Sequence, residues 1–253
     1  NCFFFIYPTK HEFVPNDVQR IQTQKSLDAR LKCVYNYKED SKKNLLDLID
    51  SAGIARTEVF AGDYLDEPQI TIISPTRDFY ESLLPKFRNK LNFHWALEAL
   101  EENLYSSKDD ISDETTLSKT LDDATDDTSA HNQSSIVFLL ETDEKQKFLF
   151  TGDAGRDAFN HVPQTLLGKV KDVTWMKVPH HGSKHNLDST IIKHVNPEIA
   201  YISTEKQGKY LNRSTVFALK KNGTKVYSTS QNRSTIRHGA IKTREGWTKI
   251  EPM

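Results

Sequence analysis

Cysteine is nearly absent, with Cys2 and Cys33 the two thiols in 253 residues. Two such distant thiols exclude a disulfide framework and a cysteine-built metal site. They are expected to stay reduced, in a cytoplasmic setting. Long apolar runs are missing as well. Nothing approaches the roughly 18 apolar residues that a membrane-spanning helix needs, so no membrane partner is expected. The apolar opening Asn1-Cys-Phe-Phe-Phe-Ile-Tyr7 is short and has neither a basic leader nor a cleavage signature. It reads as a strand over Phe3–Tyr7, ended by Pro8. A chain that opens directly on such a strand, without an initiator Met, is expected to be cut from something longer. Charge of one sign is lacking too. Lys and Arg number 34 against 35 Asp and Glu, a formal net charge of −1. No global attraction to nucleic acid follows, so such binding would need a local basic patch. Arg233, Arg237, Lys242 and Arg244 make one modest cluster, which reads as a solvated face because no exposed aromatics interleave with it.

What remains is a regular alternation of strand and helix patterns. Helices are expected over Asp17 to about Cys33, Ser41–Ala52, Arg77–Phe87 and His94–Tyr105, and strands at Phe3–Tyr7 and Ile70–Ile73. From Ser106 to Ala130 the composition turns to Ser, Thr and acidic pairs (Asp109-Asp110, Asp122-Asp123, Asp126-Asp127). So few apolar residues cannot offset the entropy of ordering, and the stretch is expected to be a mobile loop. Calcium binding is the other reading, but the spacing lacks the Gly and terminal Glu of a calcium loop. After it come strand patterns at Ser135–Glu141, Lys147–Thr151, Asp172–Val178 and Ile199–Ser203, with helices over Leu187–Val195 and Ser214–Asn222. Short strands at Lys225–Ser228, Thr235–His238 and Trp247–Ile250 end the chain. Helices interspersed with strands predict a layered α/β domain.

Two motifs carry chemistry. Thr151-Gly152-Asp153 follows the strand at Lys147, and Pro179-His180-His181-Gly182-Ser183 follows the strand ending at Val178. Both place polar side chains at the C-terminal ends of strands, where they can converge. Carboxylate and neutral imidazole suit zinc and its neighbours, and a carboxylate can bridge two ions. Gly152 and Gly182 permit the tight turns that aim such ligands. Other candidates are blander. His194 reads as a satisfied helix-end residue, and His94 as the start of an amphipathic helix. Lys184 and His185 could attract an anion but default to a solvated loop. Lys220-Lys221 complements a helix dipole.

At these residues the chain resembles the metallo-β-lactamase superfamily. More narrowly, it looks like the branch that includes the C-terminal domain of the bacterial DNA-uptake channel protein and related phosphodiesterases. The likeness runs from His131 to about His238 through HNQSSIVFLLE, KFLFTGDAG, DVTWMKVPHHGSKH, PEIAYIST, KVYST and STIRHG. Weaker similarity covers Glu58–Gly62 and Ile70–Asp78. The resemblance implies an αββα sandwich with a dinuclear metal site at one edge of two sheets. Asp153 matches the bridging carboxylate and His181 the late histidine ligand. His180 is implied to be catalytic, facing a phosphoryl oxygen of the substrate. His131 falls near a third-motif histidine and is either a metal ligand or a loop residue.

Two departures stand beside the matches. The family's His-x-His-x-Asp-His motif occurs nowhere, and Lys10-His11-Glu12 lacks its spacing. The chain is therefore either the C-terminal part of a longer protein or a homologue whose site has degraded; its abrupt start on a core-like strand favours the first. Asp153, His181 and His131 give two or three ligands, too few for a closed dinuclear site. Where relatives carry Gly-His-Pro, this chain has Gly208-Lys-Tyr-Leu-Asn-Arg-Ser214, so substrate preference does not carry over. The expectation is one partial domain over 1–253 that hydrolyses a phosphodiester or related ester through a water activated by two divalent ions, zinc or manganese. The substrate class, small molecule or nucleic acid, stays open. The alternative is a degenerate, non-catalytic module that binds or regulates.

Overall fold

The computed structural model describes residues 2–5, 51–66, 69–86, 114–204, 212–229, 235–238 and 245–253. The helices expected over 17–33 and 94–105, most of that over 41–52, and the segments 106–113 and 205–211 lie outside them. The fold is an α/β sandwich built on a seven-stranded sheet in the order β3-β4-β5-β6-β7-β8-β9. Its strands are β3 (Tyr64–Leu65), β4 (Ile70–Ser74), β5 (Val137–Glu141), β6 (Lys147–Phe150), β7 (Trp175–Lys177), β8 (Ile199–Ile202) and β9 (Lys225–Ser228). β1 (Cys2–Phe5) and β2 (Ala55–Glu58) form a separate parallel pair, as do β10 (Thr235–Arg237) and β11 (Trp247–Lys249). No described helix is long and apolar enough to cross a membrane.

The large sheet changes character at β6. Strands β3 to β6 pair antiparallel, and β6 to β9 pair parallel. Parallel neighbours need crossovers, and short helices supply them. Between β6 and β7 run α4 (Arg156–Asn160) and α5 (Gln164–Leu167); α6 (Ser189–Val195) links β7 to β8, and α7 (Arg213–Lys221) links β8 to β9. Earlier come α1 (Arg77–Leu83), α2 (Glu114–Asp122) and α3 (Ala130–Gln133). The Asp188 side chain caps α6 by accepting from Ile191 N, and Asn196 ends it with a left-handed backbone, φ 44°. The helix expected from Leu187 therefore starts two residues later. The strand expected over Asp172–Val178 shrinks to three residues because Asp172 takes φ 52° and leaves the extended region.

Period-2 alternation sorts the sheet into two faces. Val137, Leu139, Leu149, Met176, Ala200, Ile202 and Val226 share one core with Phe79, Leu121, Phe159, Ile192 and Leu219 from the helices. Each such side chain contributes about 1.5–3 kcal/mol by leaving water. The opposite face carries a row of aromatics. Phe138 stacks on Phe150 at 4.7 Å, Phe150 meets Trp175 at 5.1 Å, Trp175 meets Tyr201 at 5.7 Å, and Tyr201 stacks on Tyr227 at 5.1 Å. The Tyr201 hydroxyl shares a hydrogen bond with His238 Nδ1 at 2.6 Å, and burial pushes its pKa up to about 12.

The acidic stretch departs from expectation. Residues 114–130 are set into the fold, with Leu117 and Leu121 of α2 buried. Arg156, 7% exposed, is the reason. Its Nε donates to Leu187 O at 3.1 Å, Nη1 to Ala124 O at 3.0 Å, and Nη2 to Leu121 O at 2.7 Å and Lys184 O at 2.9 Å. Nη1 also pairs with Asp126 Oδ1 at 3.0 Å. Two carbonyls of this stretch, Leu121 O and Ala124 O, are thereby satisfied from the core side.

Candidate functional site

Three parallel strands end side by side, and the two motifs occupy these ends. β6 runs into Thr151-Gly152-Asp153, β7 into Val178-Pro179-His180-His181, and β8 into Ser203. Open α/β sheets place ligands outside such carboxyl ends. Thr151, fully buried, donates through Oγ1 to Lys177 O at 2.7 Å and so locks the first turn to β7. Gly152 sits at φ 54°, and a Cβ there would lie 2.9 Å from Ser135 Cβ. That closeness lets Ser135 Oγ accept from Asp153 N at 3.1 Å. Gly182, at φ 84°, likewise turns against Ile202.

The loops bond directly to each other. His180 N donates to Gly152 O at 3.0 Å. Lys177 Nζ donates to Gly152 O and to His180 O, the latter at 3.2 Å, and lies 3.5 Å from Asp153 Oδ1. His180 itself takes φ 52°, a left-handed conformation costly for a residue with a Cβ. Its ring meets that of His181 edge-on at 4.7 Å.

The electrostatics separate the two histidines. His181 Nδ1 lies 2.6 Å from Ser203 O. A carbonyl only accepts, so Nδ1 carries a proton toward it; in the neutral ring this leaves the lone pair on Nε2, the tautomer a metal ligand needs. Burial is the main cause that lowers the pKa of His180, with His181 and Lys177 adding to it and Asp153 and Asp127 opposing. The ring is neutral at physiological pH. Burial also lowers the pKa of Lys177, against the pull of Asp153.

Asp153, His180 and His181 are therefore brought to one edge. His131 sits half-buried on α3, where its carbonyl accepts from Ser134 Oγ at 2.8 Å. Among the described residues no three His, Cys, Asp or Glu side chains group in a way that could hold a metal ion. The donors are of the right kind, carboxylate and oriented imidazole, but those described do not fit a closed centre, and the Lys177 ammonium stands against the carboxylate. His194 behaves as a helix-end residue, its Nε2 donating to Leu167 O at 3.0 Å. His185 Nδ1 donates to Thr125 O at 2.6 Å and holds the acidic stretch to the histidine loop. Sequence reasoning missed Lys177, Asp127, Asn186 and Arg156. The i, i+4 pair Leu117 and Leu121 was the available sign that the acidic stretch packs.

The comparisons with known proteins add one relative. Over 128 residues the chain is 30% identical to ComE operon protein 3 of Bacillus subtilis (strain 168). The match covers 50% of this chain and 16% of that protein, so the chain spans a small part of its relative's length. No family model matches, and no solved structure does.

Proposed function

We propose that the chain carries part of a hydrolase site of the metallo-β-lactamase kind, acting on a phosphodiester or related ester. Asp153 and His181 are its metal-ligating residues and His180 its substrate-side residue. His131 is a further candidate ligand. The single observation that carries the reading is the orientation of His181: its Nδ1 faces Ser203 O, which leaves Nε2 as the ring nitrogen that could serve a metal, at the same strand-end edge as the Asp153 turn. The partial likeness to ComE operon protein 3 supports it. The neutral His180 ring can donate one hydrogen bond to a phosphoryl oxygen, and its left-handed backbone, φ 52°, is of the kind found at functional sites.

Because the described donors are too few for a closed centre, Asp153 and His181 alone hold a divalent ion weakly and below two per chain. Zinc and manganese are the ions that suit these donors. Calorimetric titration of each ion into the protein, Asp153→Ala, His181→Ala and His180→Ala checks the assignment. The first two variants lose binding and His180→Ala keeps it. Metal lost in His180→Ala and kept in His181→Ala reverses the two roles.

The Lys177–Asp153 pair favours a second reading, a non-catalytic module whose carboxylate is neutralised internally. Unchanged ion affinity in Asp153→Ala together with no ester hydrolysis selects that reading.

A further inference from the structure

The acidic stretch supplies more than a fastening to the core. Asp127 Oδ1 accepts from Ser129 N at 2.8 Å, while Oδ2 accepts from Asn132 Nδ2 at 2.8 Å and Asn186 Nδ2 at 3.0 Å. Asn186 is 1% exposed, and the same Nδ2 lies 3.2 Å from Asp153 O and 3.4 Å from Ala154 O. An amide nitrogen has two hydrogens. Asn186 commits one to Asp127 and the other to the turn that bears Asp153. The Asp127 backbone is engaged too: its N–H donates to His185 O at 3.1 Å, and its carbonyl accepts from Gln133 Nε2.

One residue thus gathers α3, the Asp153 turn and the loop that follows the histidine pair. The three bonds to its side chain all come from N–H donors, which only a carboxylate can accept on both oxygens. An amide at this position would aim its own hydrogens at a donor. We infer that Asp127 is a positioning residue for Asp153: through Asn186 it sets the backbone of the turn from which that carboxylate projects. The inference rests on the proposed function for what Asp153 does, but not for how its turn is held. The division of labour with Arg156 supports it. Arg156 binds backbone carbonyls of the helical segment and of the loop, whereas Asp127 reaches the Asp153 turn through a single side chain.

Residue-resolved amide hydrogen exchange on the full chain tests this. In Asp127→Asn, the amides of Asp153 and Ala154 exchange at least about tenfold faster, while those of Leu149 and Ala200 in the sheet keep their rates. Asp126→Asn removes the same charge one residue earlier, from a side chain 47% exposed, and leaves Asp153 and Ala154 within about twofold. Asn186→Ser cuts the link while leaving Asp127 its other donors, and it gives the same local pattern. The double variant exchanges no faster at Asp153 than Asn186→Ser alone, because the two residues act in series. If Asp127→Asn does not fold, Asn186→Ser is read by the same criteria. Unchanged exchange at Asp153 and Ala154, or an equal rise across the sheet, overturns the inference. The local pattern in a protein that binds no metal and hydrolyses no ester supports the inference and overturns the proposed function instead.

Discussion

Replacing Arg156 by Met keeps an unbranched apolar stem, about two heavy atoms shorter, and removes every donor it offers. Four carbonyls lose a donor, and two of these bonds, to Leu187 O and Leu121 O, are buried; Leu121 O keeps only a long bond from Ala124 N at 3.4 Å. A buried acceptor left unsatisfied costs about 1–3 kcal/mol. The pair with Asp126, whose side chain is 47% exposed, adds little after solvent screening. The two buried losses sum to about 2–6 kcal/mol, and the cost of removing one partner from a buried charged network narrows this to about 3–5 kcal/mol. For a domain of this size each kcal/mol shifts Tm by about 2–4 °C, so Arg156→Met melts about 6–20 °C lower. Urea denaturation followed by circular dichroism gives the free energy directly. Arg156→Lys restores less than half of the loss, because one ammonium cannot reproduce the planar fork. A loss of about 1 kcal/mol or less in Arg156→Met refutes the reasoning, and would mean that residues 114–129 are not tied to the core through this side chain.

Leu121→Ala, fully buried in the same segment, lowers stability by about 2–5 kcal/mol in the same denaturation assay, where a mobile loop would show no change. Gly152→Ala costs at least about 1–2 kcal/mol from its left-handed backbone alone, measured by thermal melting, and the close Ser135 side chain adds to it. His180 gives a pH dependence. Burial holds its folded pKa below the ordinary histidine value of about 6.5, so its contribution is fully present above about pH 6.5 and is lost as pH falls through the folded value. His180→Gln flattens that part of the stability–pH curve, which a denaturation series at stepped pH records.

The parts of the fold that read directly from sequence are those governed by local pattern. The alternation in Val137-Phe-Leu-Leu-Glu141 and Lys147-Phe-Leu-Phe150 sets one residue in the core and the next on the aromatic face. The two glycines marked turns that no side chain could replace, and the polar residues after β6 and β7 marked the edge where a site can form. What composition concealed was long-range satisfaction. Residues 114–130 are poor in apolar side chains, and a local count makes them a loop. Arg156 lies 35 residues beyond Leu121 and supplies the donors that the segment's own sequence cannot reveal. Lys177 was hidden in the same way, as an ordinary polar position on a strand until β6 and β7 are paired. The pairing register then places its ammonium between the Gly152 and His180 carbonyls.

Hydrolysis of bis(p-nitrophenyl) phosphate in the presence of zinc or manganese, measured side by side for the protein, Asp153→Ala, His181→Ala and His180→Ala, is the most direct test of the proposed activity. The assay is run on this chain and on one extended at its N-terminus to bring in further metal donors. The account predicts that Asp153→Ala and His181→Ala abolish the rate. His180→Ala lowers it on the order of a hundredfold with metal content unchanged, as expected for the loss of one transition-state donor. Equal rates in all four proteins, or no hydrolysis by the extended protein, contradict the claim that this strand-end edge is a hydrolase site.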